Sequence, residues 1–280
     1  MFDGLARDLY PLALSEGPQP EDPESPLRYR TLWISDVHLG TWGSKTENLV
    51  DFLRHHSADT IYLVGDLVDG WRLRSHWHWP QSHNDLVQKL LRLARKGKKI
   101  IYIPGNHDEA FRAYLGLSFG GVILLGHAVH RTADGKRLLV LHGDEFDGIL
   151  LYAKWISRLG AVLYDLLVLA NHGFNFLRRK LGFPYWSLSA FVKHKVKNLV
   201  AFTTRFEQVL LREARKRGVD GVVCGHIHKA DLRTVEGLVY ANTGDWIESC
   251  TALAEHFDGR LELVTWAEIR GPVAKPASAA

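Results

Sequence analysis

The chain has 280 residues, of which 46% are hydrophobic and 24% are charged. This balance is typical of a globular protein and excludes a collagen-like or wholly disordered chain. Lys and Arg number 35 against 31 Asp and Glu, so the formal net charge is only +4. The two cysteines, Cys224 and Cys250, are too few for a framework of disulfide bonds, which favours a reducing compartment.

Neither a secretory signal nor a membrane-spanning helix is predicted. Asp3 and Asp8 lie where a signal peptide would need a basic start and an apolar run. The most apolar stretch, residues 149–177, is interrupted by charged residues, whereas a spanning helix needs about 20 nearly uninterrupted apolar residues. We therefore expect a cytoplasmic protein that could attach peripherally to the inner face of the membrane.

The ends of the chain differ in composition from its centre. Residues 1–27 contain five of the ten prolines, and we expect them to form an extension rather than part of the core. Residues 271–280 are predicted to be a tail. The core is then expected to comprise residues 28–147 and 203–270.

Apolar and polar segments alternate through this core. The runs TLWIS, TIYLVG, KIIYIPG, RLLVLHG and VDGVVCG are short and rich in branched residues, as in buried strands. Ser44 and Glu47 have the spacing of a capping box and predict a helix that ends near His56; a second helix is predicted over Asn84–Lys96. After Gly237 the pattern favours further strands, the last two joined by a hairpin at 258–259. Such alternation predicts an α/β fold with helices covering a largely parallel sheet.

Residues 148–202 break the alternation. This segment is long, aromatic and helical in pattern, and we expect an inserted helical cap rather than one more pair of core helices. It contains eight Lys and Arg but one acid, Asp165. The basic charge of the chain is therefore concentrated in the insertion, above a slightly acidic remainder.

Five polar clusters follow five predicted strands. Because ligands bind at the carboxyl ends of strands in open α/β sheets, these clusters should converge in one crevice. Each cluster alone is weak evidence, but five of them in order, each after an apolar strand, indicate one functional site. They are Asp36-Val37-His38, Gly65-Asp66-Leu67-Val68-Asp69, Gly105-Asn106-His107-Asp108, Leu141-His142-Gly143-Asp144 and Gly225-His226-Ile227-His228.

The residue types in these clusters suit a pair of divalent cations. Imidazole, carboxylate and amide ligands without thiolate favour Mn²⁺, Fe²⁺, Zn²⁺ or Co²⁺. Two such ions can activate water and clamp the attacking and leaving oxygens of a phosphoryl displacement. The sequence therefore predicts a dinuclear metal site for phosphoester chemistry.

Taken in order, the clusters resemble the motif set of the calcineurin-like metallophosphoesterases over about Thr31–Trp266. The resemblance implies a four-layer αββα sandwich and a dinuclear site. It implies that Asp36, His38 and His228 bind one metal, that Asn106, His142 and His226 bind the other, and that Asp66 bridges them. It further implies that His107 approaches the scissile phosphate, with Asp108 orienting it.

The chain is also similar to the UDP-2,3-diacylglucosamine pyrophosphatases of lipid A synthesis, through the stretch LVGDLVDGW and the position of the helical insertion. That resemblance implies cleavage of a lipid-linked diphosphate to UMP and a lipid phosphate, with Mn²⁺ as the usual metal and the insertion as a lid. One residue departs from the group: His107 stands where its best-known enzymes have Arg.

Arginine, lysine and tryptophan near the motifs are candidates for substrate contact. We expect an amphipathic, phosphate-bearing substrate, contact of the basic lid with an anionic membrane surface, no nucleic acid and no obligate protein partner. For residues 71–79, packing against the cap is an equal alternative, and for the lid a solvated basic face is the alternative. The candidates are Trp71, Arg72, Arg74, Lys154, Arg158, Arg178, Arg179 and Lys193.

Two other functions fit the same motifs. One is a phosphatase or phosphodiesterase acting on another lipid phosphate, a nucleotide or a nucleic acid. The other is a scaffold that keeps the fold without catalysis, as in retromer-type relatives; such chains usually lack some ligands, whereas every ligand position is filled here.

Overall fold

The computed structural model describes residues 26–147 and 205–266. The strands are β1 Leu27–Ile34, β2 His56–Val64, β3 Lys99–Ile103, β4 Ser118–Phe119, β5 Val122–Leu124, β6 Ala128–Arg131, β7 Arg137–Val140, β8 Gly221–Cys224, β9 Asp231–Val235, β10 Leu238–Asn242, β11 Thr251–Glu255 and β12 Leu261–Thr265. The helices are α1 Thr46–His55, α2 Gly70–Ser75 and α3 Gln81–Arg95, together with α4, the helical residues 205–217. Short 3-10 helices cover Glu109–Tyr114 and Asp144–Phe146.

The described strands form two sheets. The first has seven strands in the order β12-β11-β1-β2-β3-β5-β4, and the second has five in the order β6-β7-β8-β10-β9. β1, β2 and β3 are parallel neighbours in the first sheet, and β7 and β8 are parallel neighbours in the second. The five predicted strands that precede the polar clusters thus run in two parallel groups.

Three apolar cores join four layers. Residues on the outer face of the first sheet, such as Leu32 and Ile61, pack against α1 and α3. Trp33 and Tyr62 point the other way and join residues of the second sheet in the core between the sheets. α4 covers the outer face of the second sheet with Phe206. The αββα sandwich expected from the motifs is therefore confirmed.

The helix boundaries differ from the sequence-based expectation. α1 begins without a capping box: Ser44 Oγ donates to Val37 O at 2.6 Å and no side chain caps the helix, whose N-cap is Lys45. α3 begins at Gln81, three residues before the predicted start, because Pro80 supplies an extended N-cap with φ −67°. α2 begins directly after Asp69, whose side chain accepts a hydrogen bond from Arg72 N and so caps a helix that the sequence pattern does not predict.

Several predicted regions lie wholly or mainly outside the described residues. Residues 148–202 and 271–280 belong to this group, and of the predicted N-terminal extension only 26–27 are described, with β1 beginning at Leu27. In the described ranges, no helix is long and apolar enough to cross a membrane.

Candidate metal centre

The polar clusters meet at one edge of the sandwich, where the parallel strands of both sheets end. Two hydrogen bonds join the sheets there. His142 Nδ1 lies 2.9 Å from Val64 O at the end of β2, and His226 N donates to Asp36 Oδ2 at 3.0 Å. Residues from distant parts of the chain therefore share one crevice, as the sequence predicts.

The side chains in this crevice form three overlapping groups of nitrogen and oxygen donors. In each group, the three candidate ligand atoms lie within 4.8 Å of one another. Asp66 belongs to two of the groups, which places its carboxylate between the other donors. The groups are Asp36 with His38 and His228, Asp66 with His142 and His226, and His38 with Asp66 and His107.

Backbone strain is concentrated at the same residues. Seven described residues other than glycine have a positive φ, and five of them are predicted metal ligands: Asp36, His38, Asp66, His226 and His228. Left-handed backbone costs a residue with a Cβ about 1 kcal/mol or more, so it persists only where the surrounding structure enforces it. In this backbone conformation, the side chains of successive loops point into the same crevice.

Two glycines leave room for the donors. A Cβ on Gly65 would lie 2.0 Å from His142 Nδ1, and Gly65 also has a φ of +81°. A Cβ on Gly105 would lie 2.3 Å from Asp66 Oδ1 and 2.6 Å from His142 Nε2. Glycine is therefore required at both positions by the close approach of His142 and Asp66.

The crevice stabilises charge on buried groups. Burial alone would raise the pKa of Asp66, but its pairing with His142 lowers it well below the usual range for a carboxyl group. Burial opposes the charged form of His142 as well, yet the carboxylate of Asp66, 3.4 Å away, and that of Asp36 raise the pKa of this imidazole to about 10. A cation binding here would displace the proton of His142, because a ligating imidazole must be neutral.

His107 contacts a different carboxylate from the one expected. The resemblance implied that Asp108 orients His107, but Asp108 accepts hydrogen bonds from Leu67 N at 2.7 Å and Gly105 N at 2.6 Å, and from the Tyr102 hydroxyl. The carboxylate of Asp108 therefore stabilises the loops and does not face His107. Asp69 Oδ2 instead lies 3.1 Å from His107 Nδ1.

Asp69 also contacts a second imidazole, that of His38. Its Oδ2 lies 3.3 Å from His38 Nδ1, while Oδ1 accepts the Arg72 N–H. Burial opposes its charge, but these contacts lower the pKa of Asp69 to about 2. In the sequence, the place of Asp69 three residues after Asp66 is the only signal of this role.

Of the predicted substrate-contact residues, the structure describes three. The Trp71 ring lies on His107 with their centroids 4.1 Å apart. Arg72 and Arg74 are exposed on α2 beside the crevice. The others, Lys154, Arg158, Arg178, Arg179 and Lys193, lie outside the described residues.

A family model described as calcineurin-like phosphoesterase matches residues 29–230. The chain belongs to this family. It is 28% identical over 220 residues to a UDP-2,3-diacylglucosamine hydrolase of Photorhabdus laumondii, covering 73% of this chain and 84% of that protein. A hydrolase of the same name from Psychromonas ingrahamii is 27% identical, with 78% and 89% covered. A solved single mutant of Vps29 from Entamoeba histolytica is similar at 13% identity and a TM-score of 0.41, with 84% and 98% covered.

As a calcineurin-like phosphoesterase, the chain is a metal-dependent phosphoester hydrolase, and its crevice fits divalent cations. Among described side chains, three buried polar atoms that belong to predicted metal ligands make no hydrogen bond of good geometry: Asp36 Oδ1, Asn106 Oδ1 and His142 Nε2. Buried polar atoms normally find a partner, so atoms left over beside the donor groups are suited to bind cations. Since His142 Nδ1 contacts Val64 O, its Nε2 is the nitrogen available to a cation.

Proposed function

We propose that the protein is a dinuclear phosphohydrolase that cleaves the diphosphate of UDP-2,3-diacylglucosamine, or of a similar lipid-linked nucleotide, to UMP and a lipid phosphate. The observation that carries the proposal is the position of Asp66, which forms one donor group with His142 and His226 and lies 3.8 Å from His38 Nε2, a member of the group of Asp36, His38 and His228. In the first of these groups, Asn106 Oδ1 would join His142 and His226. The names of the relatives support the choice of substrate. Mn²⁺ is the metal we propose, because Mn²⁺ accepts both imidazole and carboxylate.

When bound, the two cations supply an activated water molecule and neutralise charge on the phosphate oxygens. His107 is the residue of the chain that faces the reaction. Its side chain is 25% exposed, and its Nδ1 faces Asp69, so Nε2 is the atom presented to substrate. Asp69 keeps the imidazole in one orientation, in which Nε2 can donate a proton to the leaving oxygen.

The substrate claim is tested with the metal-loaded full chain and UDP-2,3-diacylglucosamine, measuring UMP release. We expect release that stops with a chelator and returns with Mn²⁺, and much slower release from UDP-N-acetylglucosamine, which lacks the two acyl chains. Bis(p-nitrophenyl) phosphate reports phosphoester hydrolysis in general. If this diester is hydrolysed while no UMP appears, the chain acts on another phosphoester and the substrate claim is wrong.

We further propose that the crevice side of the molecule contacts an anionic membrane surface. All three exposed tryptophans of the described residues, Trp42, Trp71 and Trp77, lie in segments that follow β1 and β2, beside the ligands. Trp42 is 86% exposed and Trp77 is 77% exposed. Arg72 and Arg74 add positive charge between them. Tryptophan and basic residues are the types that bind the interface of an anionic bilayer.

Replacing both Trp42 and Trp77 with alanine is expected to weaken binding to phosphatidylglycerol vesicles by about tenfold, or about 1.4 kcal/mol, since two exposed rings no longer insert. Co-sedimentation of the protein with vesicles measures this. Phe257→Ala is the matched control, because Phe257 is 53% exposed but lies in the hairpin between β11 and β12. Equal binding by the double variant and by this control would refute the proposed surface.

A further inference from the structure

A short turn after β7 brings an additional carboxylate to the crevice. Gly143 begins the turn with a φ of +116°, and a Cβ at this position would lie 2.6 Å from Phe206 Cζ of α4. The absence of a side chain lets the turn lie against α4. The 3-10 helix Asp144–Phe146 then leads to Asp147.

Two contacts hold this turn in place. Arg112 Nη2 donates to both oxygens of Asp144, at 2.7 and 2.8 Å, and thereby ties the turn to the loop that follows β3. The ring of Phe146 packs against the core between α4 and the second sheet. Asp147 is therefore attached to a turn that is anchored on both sides of the crevice.

Asp147 contacts a predicted metal ligand. Its Oδ1 lies 2.8 Å from His226 Nε2, and the two side chains are 22% and 9% exposed. The donor group that includes His226 consists of Asp66, His142 and His226, and Asp147 is not a member of it. Because Asp147 occupies Nε2, Nδ1 is the nitrogen of His226 that can bind a cation.

From this geometry we infer that Asp147 is a positioning residue for His226. It accepts the Nε2–H, fixes the imidazole in the tautomer with a free Nδ1, and makes that nitrogen a stronger donor. The inference rests on the proposed dinuclear site, within which it assigns a role to a residue outside the family motifs.

The test uses calorimetric titration of the metal-free full chain with Mn²⁺. The wild type should bind two ions. Asp147→Ala should weaken one of the two binding events by about 10–100-fold, the usual cost of losing such a partner. Asp147→Asn keeps an oxygen that accepts the Nε2–H, so it should recover much of that affinity. Glu145→Ala, an exposed carboxylate in the same turn, is the matched control and should bind like the wild type.

The outcomes separate this inference from the proposed function. A wild type that binds fewer than two ions refutes the dinuclear site itself. Two wild-type sites that Asp147→Ala leaves unchanged would refute only the role of Asp147. Equal losses in Asp147→Ala and Asp147→Asn would also refute positioning, since they would show that the charge matters and the hydrogen bond does not. Thermal unfolding of each metal-free variant checks that the fold is retained.

Discussion

Replacing Asp66 with alanine is expected to lower kcat by at least about 1,000-fold, or about 4 kcal/mol of transition-state stabilisation. Among the carboxylates of the described residues, Asp66 alone belongs to two donor groups. Its Oδ2 lies 3.8 Å from His38 Nε2 and 3.4 Å from His142 Nε2. Without it, two cations would face each other with no shared anion between them. We therefore expect the bound Mn²⁺ to fall from two ions to one or fewer, measured by elemental analysis of the dialysed protein.

Two further variants make this result interpretable. Asp66→Asn keeps an acceptor for His107 N, which donates to Oδ1 at 2.9 Å, but it loses the charge. It should fold like the wild type and still lose most activity. Asp85→Ala removes an exposed carboxylate from α3 and should change neither activity nor metal content. A stoichiometry near two in Asp66→Ala would contradict the bridging role.

The position of the site could be predicted because two patterns coincide. Apolar runs such as that of β2 end at Val64, and ligand types follow within two residues. Parallel strands then bring such ends together, which requires no knowledge of long-range contacts. Successive residues of these strands, such as Ile61 and Tyr62, point to opposite faces of the sheet, and both faces are buried. The strands therefore appear in the sequence as continuous apolar segments.

The partner of His107 could not be predicted in this way. Asp108 is adjacent to His107 in the sequence, whereas Asp69 lies in the preceding motif, so spacing does not reveal which carboxylate faces the imidazole. The structure decides because three donors of other residues, Leu67 N, Gly105 N and the Tyr102 hydroxyl, converge on Asp108. Such tertiary hydrogen bonds leave no local trace in the sequence.

Local signals also failed where another partner was available. Ser44 and Glu47 have the spacing of a capping box, but Ser44 Oγ bonds to Val37 O and Thr46 Oγ1. The hydroxyl thus stabilises the loop that carries Asp36 and His38 rather than the helix. β4 and β5, of two and three residues, are too short to show a periodic pattern.

The second large effect on kcat is expected from removing His107, which faces Asp69. We expect His107→Ala to lower kcat by about 100- to 10,000-fold, the usual contribution of a positioned acid. We also expect it to retain two bound Mn²⁺, although His107 lies in a donor group with His38 and Asp66. The reason is that its Nδ1 faces Asp69 at 3.1 Å and its ring lies under Trp71. Steady-state kinetics at saturating Mn²⁺ and metal analysis of the same variant distinguish a proton donor from a metal ligand. Loss of a bound ion from His107→Ala would show that His107 is a ligand.

A double-mutant cycle then tests whether Asp69 acts through His107. Asp69→Ala should lower kcat in the wild type and lower it much less when His107 is already alanine, because residues that act as a unit are not additive. Some effect should remain, since Asp69 Oδ2 also lies 3.3 Å from His38 Nδ1, and this remainder should appear as weaker Mn²⁺ binding. Fully additive losses would show that the two residues act independently. A remainder in kcat without a change in Mn²⁺ affinity would show that Asp69 does not support His38.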